Sequence, residues 1–210
     1  VLTIVVTAFV TSSLTRHFAL RVTAPTTDRR SLGEQVLLDT RAADSDVALI
    51  AQLAGEIARS DDGVVVPYGV SDGDTQAQTR TSVDQVAAHA AALGLDVDGV
   101  IRVVDSFIDA TIHLVAETQA SCVLLQWDGL QWATDYLFGN DVDGVGVEST
   151  VPCLAVHVVR PWTRVVVKTG THDAAWRGED VALALDVAMR ARVAAQLPLL
   201  VVDCDRDVAE

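Results

Sequence analysis

Two glycines that follow an apolar run are the clearest candidates for binding chemistry in this sequence. Gly129 and Gly139 lie in the stretch WDGLQWATDYLFGN, residues 127–140, directly after the apolar run SCVLLQ. A glycine beyond a strand lets backbone N–H groups come close to phosphate oxygens, and a serine or threonine at the next helix start adds a hydroxyl donor. Here Asn140 follows Gly139, so that hydroxyl is missing. The stretch therefore indicates either a phosphate-binding loop or the remains of one.

Other chemistry has no support in the sequence. Neither the nucleophile motif G-x-S-x-G nor the phosphate loop G-x-x-x-x-G-K-S/T occurs. The histidines and cysteines do not have the spacing of metal ligands. The motif DVDGV, at 96–100 and again at 141–145, lacks the third acidic ligand and the later glutamate of a calcium loop. We therefore predict no catalytic residues, no metal site and no enzyme activity.

The net charge of the chain limits the classes of molecule that it can bind. The formal net charge is −14, and Lys168 is the single lysine. Nucleic acids are bound through clustered lysine and arginine, so we predict that nucleic acid is not a partner.

Half of the residues are hydrophobic and few are aromatic. This composition is typical of a parallel sheet that is covered by helices on both faces.

Alternating strand and helix patterns begin at residue 35 and predict the scaffold that positions the glycines. The predicted strands are 35–40, 63–70, 97–104, 121–127 and 152–159, and the predicted helices are 45–60, 74–94 and 105–120. Such alternation forms βαβ units with right-handed crossovers. The predicted fold is α/β, a doubly wound, Rossmann-like parallel sheet. Ligands of such sheets bind beyond the carboxyl ends of the strands, which is where the glycine stretch begins.

A partial second copy of the same pattern follows. RVVVKT at 164 repeats QVLLDT at 35, DVALALDVAMRARV at 180 repeats DVALIAQLAGEIAR at 46, and LLVVD at 199 repeats VVVPY at 64. We therefore divide the chain into a first domain, 35–160, and a partial second βαβ repeat, 161–210. A βαβ unit alone exposes a sheet edge and an apolar face. Either further residues complete it, or it packs on the first domain.

The first 22 residues favour the end of a transmembrane helix. Residues 1–15 carry no charge, and Arg16 and Arg21 follow. Fifteen helical residues span about 22 Å, less than the ~30 Å hydrocarbon core, so we expect the start of this helix to precede Val1. The arginines place the polar linker, 23–34, and the rest of the chain in the cytoplasm, beside the cell membrane. The alternative is an amphipathic or buried helix of a soluble protein.

The order of elements, the PCLAVHVV segment and the glycine spacing resemble the universal stress protein (UspA) domain. ATP-binding members carry G-x-x-G, nine residues, then G-S/T; Gly129 and Gly139 match the second and third glycines. Gln126 stands at the first glycine and Asn140 at the Ser/Thr position. The resemblance matches Asp39 to the acidic residue that ends the family's first strand. It implies a UspA-like fold with a degenerate nucleotide site at these five residues. No cofactor is then expected, and ATP or AMP is the alternative.

A second resemblance concerns the N-terminal residues. VLTIVVTAFVTSSLTRHF resembles the last transmembrane segment of cation/proton antiporters of the monovalent cation:proton antiporter-2 (sodium/hydrogen exchanger) family. Some of these antiporters continue into a cytosolic UspA-like tail, and the stretch 106–127 resembles that tail. This implies a regulatory domain whose partners are its own transporter membrane domain and, through the last strand at 152–159, a second protomer. The alternative is a stand-alone universal stress protein that binds ATP or another adenine nucleotide.

Overall fold

The chain folds into a parallel α/β sheet followed by a smaller βαβ unit. The computed structural model describes residues 30–41, 46–127, 141–158, 161–169 and 178–203. The strands are β1 (Gln35–Asp39), β2 (Val64–Ser71), β3 (Val100–Val103), β4 (Cys122–Gln126), β5 (Cys153–Val156), β6 (Val165–Thr169) and β7 (Leu199–Asp203). The helices are α1 (Val47–Arg59), α2 (Gln76–Ala92), α3 (Phe107–Thr118), α4 (Asp141–Glu148) and α5 (Gly178–Ala195).

The first five strands form one parallel sheet with the order β3-β2-β1-β4-β5. Within it β1 is central, since Val36 lies opposite Val65 of β2 on one side and opposite Cys122 of β4 on the other. After β3 the chain crosses back past β1, which creates the switch point of a doubly wound sheet. The predicted α/β, doubly wound fold is therefore confirmed. Patterning does not predict α4, because Val145 is its single buried side chain.

Side chains of β1 alternate between two hydrophobic cores. Val36 and Leu38 lie with α1 and α2 in one core, whereas Leu37 lies with α3 and Val145 in the other. All three β1 side chains are fully buried. This alternation is the period of two that a strand imposes on its side chains. The continuous apolar sequence of β1 thus reflects a strand that is covered on both faces.

Polar residues fix where two of the helices begin. The Asp46 side chain accepts hydrogen bonds from the backbone N–H groups of Ala48 and Leu49 and so caps α1. Likewise the Ser106 hydroxyl accepts from Asp109 N and caps α3. These caps satisfy N–H groups that have no partner within the helix.

The second βαβ unit packs on the first domain through its helix. β6 and β7 form a separate two-stranded parallel sheet. The buried face of α5 consists mainly of small residues, which join the core that contains α1: Ala184, Val187, Ala188 and Ala191. Small side chains let the two helices approach closely. Packing on the first domain, one of the two alternatives for this unit, is therefore observed.

The predicted transmembrane segment, 1–22, lies outside the described residues, as does the linker up to residue 29. Within the described ranges no helix combines the length and apolar character needed to cross a membrane.

Helix α1 carries a carboxylic acid inside the protein. Only 3% of Glu56 is exposed. Its Oε1 accepts a 2.9 Å hydrogen bond from Gln52 Nε2, while Oε2 has no hydrogen-bond partner within the described part of the chain. Burial raises the pKa of Glu56 to about 7, although the Gln52 hydrogen bond and the charge of Arg59 act to lower it. Because the folded state holds this proton more tightly than the unfolded state, stability is lost as the pH rises through that pKa.

We therefore predict that Glu56→Gln stabilises the chain above pH 7 and has little effect near pH 4.5. Removing the buried charge should raise the free energy of unfolding at pH 8 by about 1 to 3 kcal/mol. Urea denaturation of both proteins between pH 4.5 and 8 measures this difference. Glu117→Gln is the matched control, because the Glu117 side chain is 61% exposed. A pH-independent difference for Glu56→Gln would contradict the prediction.

Candidate functional site

Two predicted site residues meet where the first and fourth strands end. Asp39 is the last residue of β1 and Gln126 the last residue of β4, and these strands are neighbours in the sheet. Gln126 Nε2 donates a 3.0 Å hydrogen bond to the Asp39 carbonyl oxygen. Asp39 is fully buried and Gln126 is 6% exposed. The structure thus brings both residues to the switch point, the usual ligand position in a doubly wound sheet.

The remaining predicted site residues, Gly129, Gly139 and Asn140, lie outside the described residues. Their proposed place around a phosphate therefore stays a prediction. The structure describes Trp127 and Asp141, the residues that flank the segment 128–140. Trp127 N donates a 2.9 Å hydrogen bond to the Val156 carbonyl oxygen, so Trp127 continues the pairing of β4 with β5.

Arg41 fills the space beyond the end of β1. Its Nε lies 3.2 Å from both carboxylate oxygens of Asp39, and its Nη2 lies 3.2 Å from Asp39 Oδ2. The Arg41 backbone N–H adds a 3.0 Å hydrogen bond to Asp39 Oδ1. The third guanidinium nitrogen, Nη1, donates to Asp141 Oδ2 at 2.6 Å. A single guanidinium therefore bridges the buried carboxylate of β1 and a carboxylate in the first turn of α4.

An aromatic ring supports the same guanidinium. The Arg41 Cζ atom lies 3.1 Å from the centroid of the Phe107 ring, a cation–π arrangement. Phe107 in turn stacks on Tyr68, with 6.0 Å between the ring centroids. The Tyr68 hydroxyl and the Thr111 hydroxyl form a buried 3.0 Å hydrogen bond. Arg41 is thus held by groups from β1, α3 and α4 and occupies the mouth of the switch point.

Burial and charge act in opposite directions on this ion pair. Complete burial raises the pKa of Asp39, and the charge and hydrogen bonds of Arg41 only partly offset that rise. Burial acts to lower the pKa of Arg41, but Asp39 and Asp141 outweigh it, so the Arg41 pKa is raised and the guanidinium stays charged. Asp39 depends on this cation because an isolated buried carboxylate is costly.

The Gln126 side chain occupies the interior position at the end of β4. Its Oε1 atom is buried and has no hydrogen-bond partner among the described residues. A buried acceptor without a partner suits a hydrogen-bond donor or a cation and disfavours the negative charge of a phosphate group. The described part of the site can therefore hold a positive group, and Arg41 supplies one from within the chain.

Sequence patterns did not identify Arg41, Phe107 or Asp141 as site residues. One signal for Arg41 was present, since it stands two positions after the acidic end of β1. The second DVDGV motif forms the first turn of α4, and Asp141 there lies at the helix end that favours negative charge. The contact between Arg41 and Asp141 joins residues 100 positions apart. Sequence spacing gives no indication of such a contact.

Comparison with known proteins gives similarity at the level of structure only. No protein-family model matches this chain, and neither does any curated protein. A universal stress protein in complex with cAMP is 23% identical, with 60% of this chain and 97% of that chain covered and a TM-score of 0.48. The Archaeoglobus fulgidus universal stress protein in complex with dAMP is 11% identical, with 59% and 98% covered and a TM-score of 0.48. A universal stress protein family member from Burkholderia pseudomallei is 16% identical, with 60% and 97% covered and a TM-score of 0.46. The fold assignment itself rests on the strand order and parallel register described above.

We predict that Arg41→Ala lowers the free energy of unfolding at pH 7.5 by about 2 kcal/mol or more, because it leaves Asp39 buried without its cation. The loss should shrink as the pH falls, since protonated Asp39 needs no counterion. Urea denaturation at pH 7.5 and pH 4.5 measures it.

Arg102→Ala is the matched control for this experiment. Arg102 is about as exposed as Arg41, but its partner Glu117 is 61% exposed, whereas Asp39 is fully buried. Loss of such a surface pair costs about 1 kcal/mol or less. Equal losses for the two arginine variants would show that the Asp39 pair has no special role in stability.

Proposed function

We propose that this chain is the cytosolic regulatory region of a membrane cation/proton antiporter that exchanges sodium or potassium for protons. In this proposal the UspA-like domain has a degenerate nucleotide site, it is not an enzyme, and it acts through protein contacts. The observation that carries the degenerate site is the position of Arg41 between Asp39 and Asp141 and over the Phe107 ring.

Two physical features oppose nucleotide binding at this site. The Gln126 side chain stands where the ATP-binding motif has a glycine, so the backbone of β4 is shielded by a buried carboxamide. The positive charge that could attract a phosphate is already neutralised, since Arg41 bridges two carboxylates. A nucleotide would have to displace Arg41 and leave Asp39 buried with an unpaired charge. No cofactor is therefore expected.

The proposed attachment is to the membrane through residues 1–22, with residues from about 23 onward in the cytoplasm. The uncharged run followed by arginines supports this arrangement. A second protomer is the proposed additional partner, through the segment 152–159. Within that segment β5 pairs with β4 along one side, and among the described strands none pairs with its other side. A free strand edge offers backbone donors and acceptors to a second chain.

The second candidate function is a stand-alone universal stress protein that binds ATP or another adenine nucleotide. One observation favours it. The Arg41 side chain is 34% exposed and lies at the outer end of the site, so a ligand that supplies its own donor to Asp39 can displace it. The buried Oε1 of Gln126 would then be available to a donor group of a ligand.

Isothermal titration calorimetry of the 210-residue chain with ATP, AMP and cyclic dinucleotides separates these candidates. We expect no binding by the unaltered protein, because Arg41 and Gln126 occupy the site. Gln126→Gly combined with Asn140→Ser restores the two missing motif positions and should produce measurable binding, which adding Arg41→Ala should strengthen. Arg102→Ala is the control for loss of an arginine elsewhere. Binding by the unaltered chain with a Kd near or below about 10 μM, or about −7 kcal/mol, would reject the degenerate site in favour of a nucleotide sensor.

Membrane attachment has an independent test. We expect the 210-residue chain expressed in bacteria to sediment with membranes and to resist extraction by high salt, because the apolar end of the helix, residues 1–15, is not released by screening charge. Residues 31–210, prepared in the same way, should stay in the supernatant. Release of the longer chain by salt alone would contradict apolar membrane attachment through residues 1–22.

A further inference from the structure

An arginine of the second βαβ unit reaches across into the first domain. The Arg190 side chain extends from α5 and is only 12% exposed. Its Nη1 atom pairs with the Asp61 carboxylate and lies 3.2 Å from the Ile57 carbonyl oxygen, at the end of α1. Its Nη2 atom lies 3.3 Å from the Ser31 hydroxyl, and its Nε atom is held at 3.0 Å by Asp186 of its own helix. One guanidinium therefore contacts α1, α5 and the residues that precede β1.

Those preceding residues form a short turn, the leading turn, residues 31–34. Glu34 N donates to the Ser31 carbonyl oxygen at 3.1 Å and closes the turn. Gly33 N donates a 2.8 Å hydrogen bond to Asp61 Oδ2, the same oxygen that Arg190 binds. The carboxylate of Asp61 thus connects the backbone of the leading turn to the guanidinium of the second unit.

Two glycines allow this close approach. A Cβ atom on Gly33 would lie 2.2 Å from the Ile57 carbonyl oxygen and 2.7 Å from Asp61 Oδ2. A Cβ atom on Gly63 would lie 1.8 Å from the Gly33 carbonyl oxygen. Backbone packs directly on backbone here, so only glycine fits at both positions. The leading turn therefore packs directly against the end of α1, with no space for a side chain at either glycine.

The charges at this junction are strongly paired. Burial acts to raise the pKa of Asp61, but hydrogen bonds from Ser31, Arg190 and Gly33 outweigh it, so that pKa is lowered. Asp61 and Asp186 likewise raise the pKa of Arg190 despite its burial. Both partners are therefore charged at neutral pH, and charge-assisted hydrogen bonds of this kind are the stronger ones.

The other side of the leading turn is fastened to the segment between α3 and β4. The Ser121 hydroxyl lies 2.8 Å from the Leu32 carbonyl oxygen and accepts a 2.9 Å hydrogen bond from Gln35 N. Arg30 donates to the carbonyl oxygen of Gln119. The leading turn is thus held from two directions, by the first domain at Ser121 and by the second unit at Arg190.

We propose that Arg190, Asp61 and the leading turn form a coupling joint. Through this joint, the conformation of the leading turn and the docking of the second βαβ unit on the first domain depend on each other. The joint is specific to the second unit. At the repeat offset of 134 residues Arg190 corresponds to Glu56, an acidic residue in place of a basic one. A displacement of the residues before Arg30 is therefore transmitted to α5 as well as to the sheet. This coupling is independent of nucleotide binding and of the membrane assignment.

Amide hydrogen exchange of the 210-residue chain, followed by mass spectrometry, tests the joint. In Arg190→Gln we expect exchange to accelerate by about tenfold or more in two separate segments, residues 31–36 and residues 178–195, because the shared carboxylate loses its cation. Asp61→Asn should accelerate the same two segments. Arg192→Gln is the matched control, since Arg192 is exposed on the same helix and its substitution removes the same charge. It should accelerate neither segment.

The reciprocal variant decides whether the coupling runs in both directions. Ser121→Ala loosens the leading turn without touching α5, and with a coupled joint it should also accelerate exchange in residues 178–195. Acceleration confined to residues 178–195 in Arg190→Gln, or to residues 31–36 in Ser121→Ala, would overturn the proposal. If Arg190→Gln fails to fold, Arg190→Lys serves instead. It keeps the charge but loses the planar fork that reaches Asp61 and Ser31 together, and the same two-segment pattern is expected.

Discussion

The central position of β1 is the constraint on which the rest of this structure depends. Its backbone is hydrogen-bonded to β2 on one side and to β4 on the other, and its side chains alternate between two cores. Its amino end continues from the leading turn, and its carboxyl end delivers Asp39 to the switch point. A one-residue slip of this strand would place Leu37 in the wrong core and move Asp39 away from Gln126 of β4. Both cores and the candidate site therefore depend on the same register.

An arginine pairs with an aspartate near each end of β1. At the carboxyl end, Arg41 neutralises a fully buried carboxylate and shares its charge with the more exposed Asp141. At the amino end, Arg190 neutralises Asp61, and both side chains are mostly buried. At Glu56 burial outweighs the Gln52 hydrogen bond and the charge of Arg59, and it raises the pKa to about 7. Among these three acids the pKa of Asp61 is lowered, whereas burial raises the pKa of Asp39 and of Glu56.

The sequence predicts the scaffold well because the signals for it are local. Apolar runs such as QVLLD and CVLLQ, helix caps such as Ser106 and the order of elements all appear in the printed sequence, and each corresponds to a described element. Helix α4 is missed because it buries only Val145, so no apolar stripe marks it. Of the candidate site, the sequence indicates Asp39 and Gln126 through their positions at strand ends. Arg41, Phe107 and Asp141 meet only through the topology, over separations that no periodicity encodes.

The docking of the second unit likewise follows from the fold rather than from local sequence. The repeat predicts a βαβ unit but leaves open whether it packs on the first domain or is completed by further residues. The small side chains along α5 allow close contact with α1, and Arg190 fixes the position of that contact. Neither feature can be interpreted from the sequence before the partner helix is known.

The close packing of the leading turn limits how β1 can move in this protein. A strand paired on both sides cannot slide by one residue, since its side chains would exchange faces, and a slide of two residues would break every ladder hydrogen bond at once. Gly33 and Gly63 are in backbone contact before β1, and the five residues of β1 are paired with β2 on one side and with β4 on the other. A pull along the strand axis would load the hydrogen bonds of both ladders together, so the strand resists sliding. Motion that reaches it from the preceding chain would therefore reorient the sheet as one body and leave the register unchanged.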